Sequence, residues 1–184
     1  MSGEITDNMS LLFPDQPVLK GERICIRPLV APDAPDLAKL TKEEEVYRYL
    51  PTYLFEKKYP DTRNVIEKLY TEGLVDSLIM GVFMGNRFSG LAEVYGYRGY
   101  IHKANVGYRF LKEEWGKGIA TEALSLMIKE LIDNRGIEII TASTMVENRA
   151  SAHVLQKAGF MLVNSNVDED WGFPEPTPAD KWIL

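Results

Sequence analysis

The sequence predicts an α+β (mixed α/β) fold organised around one β-sheet. First, β-prone and helical segments follow one another in the order β-α-α-α-β-β-β-α-β-α-β-β, which includes a strand-helix-strand crossover typical of a partly parallel sheet. Second, a chain of 184 residues with 45% hydrophobic residues has the size and composition of one globular domain. We therefore expect a single domain over residues 1–184.

The first half of the chain is predicted to contain one strand, three helical segments and a hairpin. Residues 22–29 alternate in polarity and end among prolines, as a short strand does. Apolar residues recur at helical spacing from Asp33 to Pro51, and again after Asp61, an N-cap candidate. Gly85 and Asn86 then join two β-prone runs, 77–84 and 87–97, which predicts a tight hairpin.

The second half repeats the strand-helix pattern from a strand expected at 105–111. One apolar helical face runs from Ala120 to Ile132, and Gly136 supplies a C-cap. β-Branched residues at 137–144 predict a buried strand, and a helix over 149–158 follows. The last strands are expected at 160–166 and 182–184, with a proline-rich loop between them.

The composition excludes several classes of function. With 21 basic and 27 acidic residues, the net charge of −6 disfavours binding to the phosphate backbone of nucleic acids. The sequence lacks an apolar run long enough for a membrane helix and lacks a signal-like N-terminus, so we expect a cytoplasmic protein without a membrane partner. Cys25, His102 and His153 are too few for a disulfide or a metal cage, so no metal site is predicted.

The segment 112–121, between a predicted strand and a predicted helix, has the features of an anion site. Gly116 and Gly118 would leave backbone N–H groups unobstructed, and the positive end of the helix dipole lies beside them. The spacing differs from the Gly-x-x-x-x-Gly-Lys-Ser/Thr and Gly-x-Gly-x-x-Gly loops that bind nucleotides. The residues alone leave two interpretations, a pyrophosphate site or a tight turn.

Two sequence blocks resemble those of the GNAT acetyltransferase superfamily. The run Trp-Gly-Lys-Gly-Ile-Ala-Thr-Glu-Ala-Leu from Trp115 resembles motif A, and a tryptophan commonly opens this motif in the RimJ/RimL branch, which modifies the N-termini of ribosomal proteins. The run from Glu147 to Phe160 resembles motif B of the same branch, with an Asn-x-x-Ser start and a Lys-x-Gly-Phe end. The two blocks are separated by about one helix and one strand.

The resemblance implies the GNAT fold, a central mixed twisted sheet flanked by helices, with acetyl-CoA in the splay between two central parallel strands. Those strands are 105–111 and 137–144 here. Phe110 and Leu111 would offer backbone groups to the pantetheine and the thioester oxygen, and Asn148 would contact the cofactor as well as cap its helix. The residues that would wrap the pyrophosphate are Gly116, Lys117, Gly118, Ile119, Ala120 and Thr121.

Ser151 is the candidate proton donor. It shares one helical face with Val154, Leu155 and Ala158, so its hydroxyl lies on an otherwise apolar stripe. Several GNAT enzymes use a tyrosine as general acid where this chain has Leu155, and the resemblance therefore shifts that role, or contact with the thiolate, to Ser151. The alternative is a hydroxyl that only bonds its own helix backbone.

A carboxylate is expected to take the proton of the attacking amine, directly or through water. The candidates are Glu93 on a strand and Asp170 in the acidic run 168–170. Asp170 is preferred, because some RimL-like enzymes carry a catalytic carboxylate ten residues after the Gly-Phe phenylalanine, but a solvated loop is the alternative for this run.

The predicted activity is transfer of the acetyl group of acetyl-CoA to a primary amine by direct attack in a ternary complex. A protein or peptide N-terminus is the expected acceptor, because an α-amino group with a pKa of about 7.7–8.0 needs less help from a base than a lysine with a pKa of about 10.4. The alternatives are a polyamine or aminoglycoside acceptor, which calls for a strongly acidic cleft, and an acyl-CoA-binding module without turnover. A monomer or a homodimer is expected.

Overall fold

A computed structural model describes residues 8–184, which form one eight-stranded sheet with helices on both faces. The strands are β1 (Leu19–Lys20), β2 (Cys25–Arg27), β3 (Ser77–Met84), β4 (Arg87–Arg98), β5 (Lys103–Phe110), β6 (Ile139–Met145), β7 (Met161–Glu169) and β8 (Thr177–Ile183). The helices are α1 (Met9–Leu12), α2 (Ala34–Lys42), α3 (Glu44–Tyr47), α4 (Thr62–Leu69), α5 (Ile119–Lys129) and α6 (Arg149–Lys157). This architecture confirms the predicted fold class.

The sheet order is β1-β2-β3-β4-β5-β6-β8-β7, and β5 and β6 are its parallel neighbours. Their pairing extends over only three positions, from Lys103 opposite Ile139 to Asn105 opposite Thr141. From Thr141 onward β6 pairs with β8, while β5 keeps its partner β4. The carboxyl-terminal halves of β5 and β6 therefore diverge, and the sheet opens between them.

Two apolar layers cover the two faces of the sheet. On one face α5 packs against the sheet through residues such as Ala123, Leu124 and Met127, which lie in one cluster with Val94 and Val106. On the other face α2 and α4 pack against Ile79, Phe83 and Leu91. Because successive side chains of a strand point to opposite faces, Glu93 shares the α2 and α4 face with Leu91, and Tyr108 shares the α5 face with Val106.

Several element boundaries differ from the prediction. The helical run after Asp33 is divided into α2 and α3, because Glu43 is extended with φ −77° and ψ 96°. The expected N-cap at Asp61 is confirmed, since its side chain accepts from the Arg63 N–H at 2.9 Å. β8 begins at Thr177, inside the stretch predicted as a proline-rich loop, and Pro178 lies opposite Asp168 near its first residue. A proline is tolerated at that end of a strand.

Within residues 8–184 no helix combines the length and the hydrophobicity needed to cross a bilayer.

Candidate active site

A cavity of about 990 Å³ lies where β5 and β6 separate, and it reaches both faces of the sheet. On the α5 face it is lined by residues of the loop before α5 and of α6, and on the other face by residues 45–58. Its volume is at the upper end of the range for small-molecule sites. The cavity can therefore hold one ligand in the splay and admit a second from the opposite face.

The free edge of β5 presents backbone groups to this cavity. Leu111 donates its N–H to the Ser89 carbonyl at 3.0 Å, on the β4 side of the strand. Because strand N–H and C=O groups alternate in direction, those of Phe110 and Tyr108 point to the other side, where β6 has diverged. Phe110 lines the cavity, and its carbonyl also accepts from the indole N–H of Trp115 at 2.9 Å.

Leu111 does not face the cavity, and we withdraw it from the expected cofactor contacts. Its N–H is used by Ser89, its carbonyl accepts from the Glu114 N–H at 2.9 Å, and its side chain is buried in the cluster beneath α2 and α4. The alternation of the strand gives the physical reason, since Phe110 and Leu111 cannot both direct their backbone groups to the same edge.

The loop before α5 has the geometry of an anion cradle. Gly116 and Gly118 both adopt positive φ angles, 73° and 76°, which residues with a side chain rarely adopt. A Cβ added at Gly116 would meet no atom within 4 Å, so the space beside the loop is open. Gly118 is the N-cap of α5 and supplies no side-chain acceptor, so the first N–H groups of the helix remain available to an anion.

The six residues predicted to wrap the pyrophosphate differ in their surroundings. Gly116 and Ala120 line the cavity, whereas Lys117, Gly118, Ile119 and Thr121 do not, and the Ile119 side chain is buried in the core. The Lys117 ammonium lies 3.1 Å from the buried carboxylate of Glu114. Lys117 is thus paired with a carboxylate, and the backbone is the part of this segment that can hold phosphate.

Arg23, in the β1–β2 turn, binds this loop and the first turn of α5. Its Nε and its backbone N–H each bind a carboxylate oxygen of Glu122 at 2.8 Å, and its NH1 donates to the Lys117 carbonyl at 2.9 Å. A Cβ added at Gly118 would lie 3.3 Å from the NH2 nitrogen of Arg23. A guanidinium therefore stands directly beside the anion cradle, a feature that the sequence did not reveal.

Asn148 and Ser151 lie at the start of α6, on the opposite wall of the splay. Asn148 is the N-cap, as predicted, and its Oδ1 accepts from the Ser151 N–H at 3.1 Å. The Ser151 hydroxyl lies 2.9 Å from the Tyr108 hydroxyl on β5. All three residues line the cavity. The Ser151 hydroxyl therefore has a partner across the splay, outside its own helix.

Tyr108 is the main functional candidate that the sequence interpretation missed. Burial raises the pKa of its phenol to about 12, and the hydrogen bond with Ser151 acts in the opposite direction. Tyr108 thus carries its proton at neutral pH. A signal was present, since Tyr108 lies two residues before Phe110 on the predicted strand and therefore at the same edge.

Glu93 lies on the other face in a buried ionic cluster. Arg109 donates from NH1 to Glu93 Oε2 at 2.6 Å and from NH2 to Glu56 Oε2 at 2.7 Å, and Tyr47 donates to Glu56 at 3.0 Å. Burial lowers the pKa of Arg109, but the charges of Glu56 and Glu93 more than offset this effect and the pKa is raised. The cluster has two carboxylates and one guanidinium, so it carries a net negative charge.

The Glu93 carboxylate is open to the cavity because its neighbour on β5 is a glycine. Glu93 lies opposite Gly107 in the β4–β5 register, and a Cβ there would lie 3.8 Å from Glu93 Oε2. Tyr95 also lines the cavity beside Gly107, and burial is the largest cause that raises its pKa, followed by the charges of Glu93 and Glu169. These groups form the acceptor face of the cavity.

Asp170 does not line the cavity, and we replace it by Glu169 as the candidate from the acidic run. The exposed Asp170 carboxylate accepts from the Gly172 N–H at 2.8 Å, and its carbonyl accepts from the Tyr53 hydroxyl at 3.2 Å. Glu169 lines the cavity and is ion-paired with Lys181.

Comparison with known families identifies the family of the chain. Residues 23–161 match the model of the acetyltransferase (GNAT) domain, which is more than half of the chain. The chain belongs to the GNAT acetyltransferase family. Enzymes of this family use acetyl-CoA, so the protein is an acetyltransferase with acetyl-CoA as its acetyl donor.

Individual GNAT relatives are distant in sequence but similar in structure. The chain is 24% identical over 170 residues to the uncharacterized N-acetyltransferase YoaA of Bacillus subtilis, covering 89% of this chain and 93% of that protein. RimL, a ribosomal alpha-N-protein acetyltransferase in complex with coenzyme A, superposes with a TM-score of 0.77 at 16% identity, covering 91% of this chain and 97% of RimL. Spermidine N-acetyltransferase from Vibrio cholerae in complex with CoA and spermine superposes with a TM-score of 0.72 at 18% identity, covering 89% and 96%.

Proposed function

We propose that this GNAT enzyme acetylates the free N-terminal amine of a protein or peptide. The observation that carries the proposal is that as many basic as acidic side chains line the cavity, so the lining is not strongly acidic. The acidic residues that line it are Glu45, Asp76, Glu93 and Glu169, and the basic residues are Lys57, Lys58, Arg98 and Arg109. A polyamine or an aminoglycoside carries several positive charges, which such a lining would not neutralise. One N-terminal ammonium needs one carboxylate.

The aromatic lining on the acceptor face supports the same acceptor. The side chains Tyr49, Tyr53, Phe55, Tyr95 and Trp171 border the cavity there. Aromatic rings give large contact areas with few rotatable bonds, so they suit the first side chains and the backbone of a peptide. Two loops meet at this face, where the Thr52 N–H donates to the Trp171 carbonyl at 2.9 Å.

The residues of the splay fit the acetyl donor. We propose that the backbone of the loop at Gly116 and the first N–H groups of α5 hold the pyrophosphate, with Asn148 on the opposite wall. When bound, acetyl-CoA supplies an acetyl group activated as a thioester. The outward N–H group of Tyr108 on β5 can donate to the carbonyl oxygen as it gains negative charge.

Glu93 acts on the attacking amine from one face of the cavity, and Ser151 acts on the leaving sulfur from the other. Glu93 has Oε2 bound by Arg109, and it attracts the acceptor ammonium and takes the proton of the amine directly or through one water. On the other side, Ser151 donates a hydrogen bond to the sulfur of the leaving group, which departs as a thiolate and takes its proton from solvent. An α-amino group has a pKa of about 7.7–8.0, so a substantial neutral fraction is present at physiological pH.

An acceptor panel tests this proposal. Purified enzyme and acetyl-CoA are incubated with peptides that have free N-termini, with the same peptides blocked at the N-terminus but carrying lysine, and with spermidine and an aminoglycoside. Release of free CoA and the mass of each product are measured. We expect acetylation of the free N-termini. Faster turnover of spermidine or the aminoglycoside would overturn the acceptor, and CoA binding without turnover of any amine would support a binding module instead.

Glu93→Gln tests the role of the carboxylate within this proposal. The variant keeps the shape of the side chain but removes its charge and its basicity, so we expect kcat to fall by about 10²-fold or more with peptide acceptors while the affinity for CoA is unchanged. Glu169→Gln is the matched variant on a second carboxylate that lines the cavity. A larger loss in Glu169→Gln than in Glu93→Gln would move the base to Glu169.

A further inference from the structure

We propose that Tyr108 is a positioning residue that directs the Ser151 hydroxyl hydrogen toward the sulfur of the cofactor. The proposal rests on the placement of the thioester in the splay that is proposed above. Several GNAT enzymes have a tyrosine hydroxyl on α6, at the position of Leu155 in this chain. Leu155 has no donor group and its side chain is buried. The proposal assigns a tyrosine hydroxyl on β5 to the same side of the cavity.

The geometry joins two elements at the point where the sheet opens. Tyr108 Oη lies 2.9 Å from Ser151 Oγ and 3.3 Å from the Ser151 carbonyl. Tyr108 is held from the side by Phe110, whose ring centroid lies 6.1 Å away at an interplanar angle of 38°. The Ser151 N–H is used by Asn148. The hydroxyl is therefore the part of Ser151 that is left for a ligand in the cavity.

Counting hydrogens decides what Tyr108 must do. Each hydroxyl has one hydrogen to donate. If Ser151 donates to Tyr108, then Tyr108 donates to the Ser151 carbonyl and no hydrogen is left for the sulfur. If Tyr108 donates to Ser151 Oγ, the Ser151 hydrogen is free to point into the splay. Negative charge on the sulfur favours the second arrangement, because a chain of hydrogen bonds that all point toward an anion is cooperative.

The chemical balance of the transfer leaves Tyr108 unchanged. The N–C bond to the acceptor forms, the C–S bond breaks, and its electron pair goes to the sulfur, while the proton of the amine goes to Glu93. Ser151 donates a hydrogen bond to the sulfur during this step. Tyr108 keeps its proton, and the raised pKa of its phenol is consistent with that role.

Three variants and two ligands test the proposal. Ser151→Ala should lower kcat by about 10²-fold. Tyr108→Phe should lower it by about tenfold, because it removes one neutral hydrogen bond that supports Ser151, and tenfold corresponds to about 1.4 kcal/mol. In the double variant, kcat should equal that of Ser151→Ala alone, since Tyr108 acts through Ser151.

A binding measurement without any acceptor separates this proposal from the choice of acceptor. Calorimetry gives the Kd of CoA and of desulfo-CoA, in which the sulfur is missing, and their ratio reports contacts to the sulfur. We expect this ratio to fall toward one in both Ser151→Ala and Tyr108→Phe. Tyr95→Phe removes another hydroxyl from the cavity, and it should leave the ratio as in the parent. The binding measurement uses no acceptor, so it tests the role of Tyr108 even if the acceptor panel shows that the acceptor is not a peptide N-terminus.

Two outcomes would overturn the role of Tyr108. The first is a further tenfold loss of kcat when Tyr108→Phe is added to Ser151→Ala, which would mean that Tyr108 acts on its own. The second is a Tyr108→Phe variant that has the kcat of the parent and the parent's ratio of the Kd values for CoA and desulfo-CoA. Thermal melting of each variant shows whether the fold is intact. Ser151→Thr keeps the hydroxyl, so its ratio of the Kd values for CoA and desulfo-CoA should lie closer to that of the parent than the ratio of Ser151→Ala does.

Discussion

Arg109 gives the sharpest test of how the acceptor face is held together, and Arg109→Met is the perturbation. Methionine has a similar length and no charge, so the substitution removes the guanidinium with little change of volume. The Arg109 side chain is 2% exposed, and those of its partners Glu56 and Glu93 are 1% and 10% exposed. Two carboxylates would thus remain buried next to each other without a cation.

The expected loss of stability is large. Removing one partner of a buried ion pair costs about 3–5 kcal/mol, because the remaining charge stays uncompensated. For a chain of this size, 1 kcal/mol shifts the melting temperature by about 2–4 °C, so Arg109→Met should melt about 6–20 °C below the parent. Arg109→Lys is the matched control. It keeps the charge but loses the fork that reaches both carboxylates, and we expect a smaller loss.

The pH dependence distinguishes charge from packing. Without Arg109, the pKa of a buried carboxylate is raised above its value in the unfolded chain. A raised pKa in the folded state gives stability that is present at low pH and lost as the pH rises through it. The difference in melting temperature between parent and Arg109→Met should therefore shrink from pH 7.5 toward about pH 5. A loss below about 1 kcal/mol, or a difference that does not change with pH, would refute this account of the cluster.

Three further predictions concern the cofactor loop, metals and alkaline pH. Gly118→Asp should weaken CoA binding in calorimetry by more than about tenfold, because its carboxylate would lie beside the pyrophosphate. Gly136→Asp is the control for backbone strain, since Gly136 has a similar positive φ and lies away from the loop. A chelator should leave acetyl transfer unchanged, and loss of activity that one divalent ion restores would contradict this. The pKa of Tyr108 is raised to about 12, so stability should fall between about pH 10 and 12, and this fall should be smaller in Tyr108→Phe when urea titrations are compared.

The fold and the conformation of the loop before α5 were predictable because their requirements are local. Gly116 and Gly118 are needed for positive φ angles at the junction of a strand and a helix, and Asn148 is needed to cap a helix. These demands involve residues a few positions apart, so a short run of sequence records them. The order of strands and helices likewise follows from hydrophobic periodicity.

Which residue of the acidic run 168–170 faces the cavity was not predictable in the same way, because it depends on strand register. A shift of one residue exchanges the two faces of a strand. In β7 the register against β8 shifts twice, between Leu162 and Asn164 and between Asn164 and Val167. Counting from Phe160 therefore cannot tell which residue of the acidic run faces the cavity, and the structure selects Glu169 rather than Asp170.

Arg23 illustrates a contact that neither periodicity nor motif could indicate, and it supports the last prediction. Arg23 and Glu122 are 99 positions apart, and they meet because the β1–β2 turn packs on the first turn of α5. Glu122 places a carboxylate close to the loop that we propose holds the pyrophosphate. Burial raises the pKa of Glu122, but the hydrogen bonds from Arg23 outweigh it and the pKa is lowered. Arg23 thus offsets a negative charge that would repel the cofactor.

Arg23→Leu should consequently weaken CoA binding by about tenfold, which corresponds to roughly 1.4 kcal/mol. The substitution exposes the cofactor to the charge of the Glu122 carboxylate and removes the hydrogen bond to the Lys117 carbonyl. Adding Glu122→Gln removes the repulsion and should recover part of the affinity, whereas a purely structural role of the pair would make the double variant no better than Arg23→Leu. Lys129→Leu deletes a positive charge from the far end of α5 and serves as the control for net charge. Because this effect is electrostatic at a half-exposed site, calorimetry at 0.05 M and 0.5 M salt should show it shrinking at high salt. An Arg23→Leu variant that binds CoA like the parent at low salt would remove Arg23 from the cofactor site.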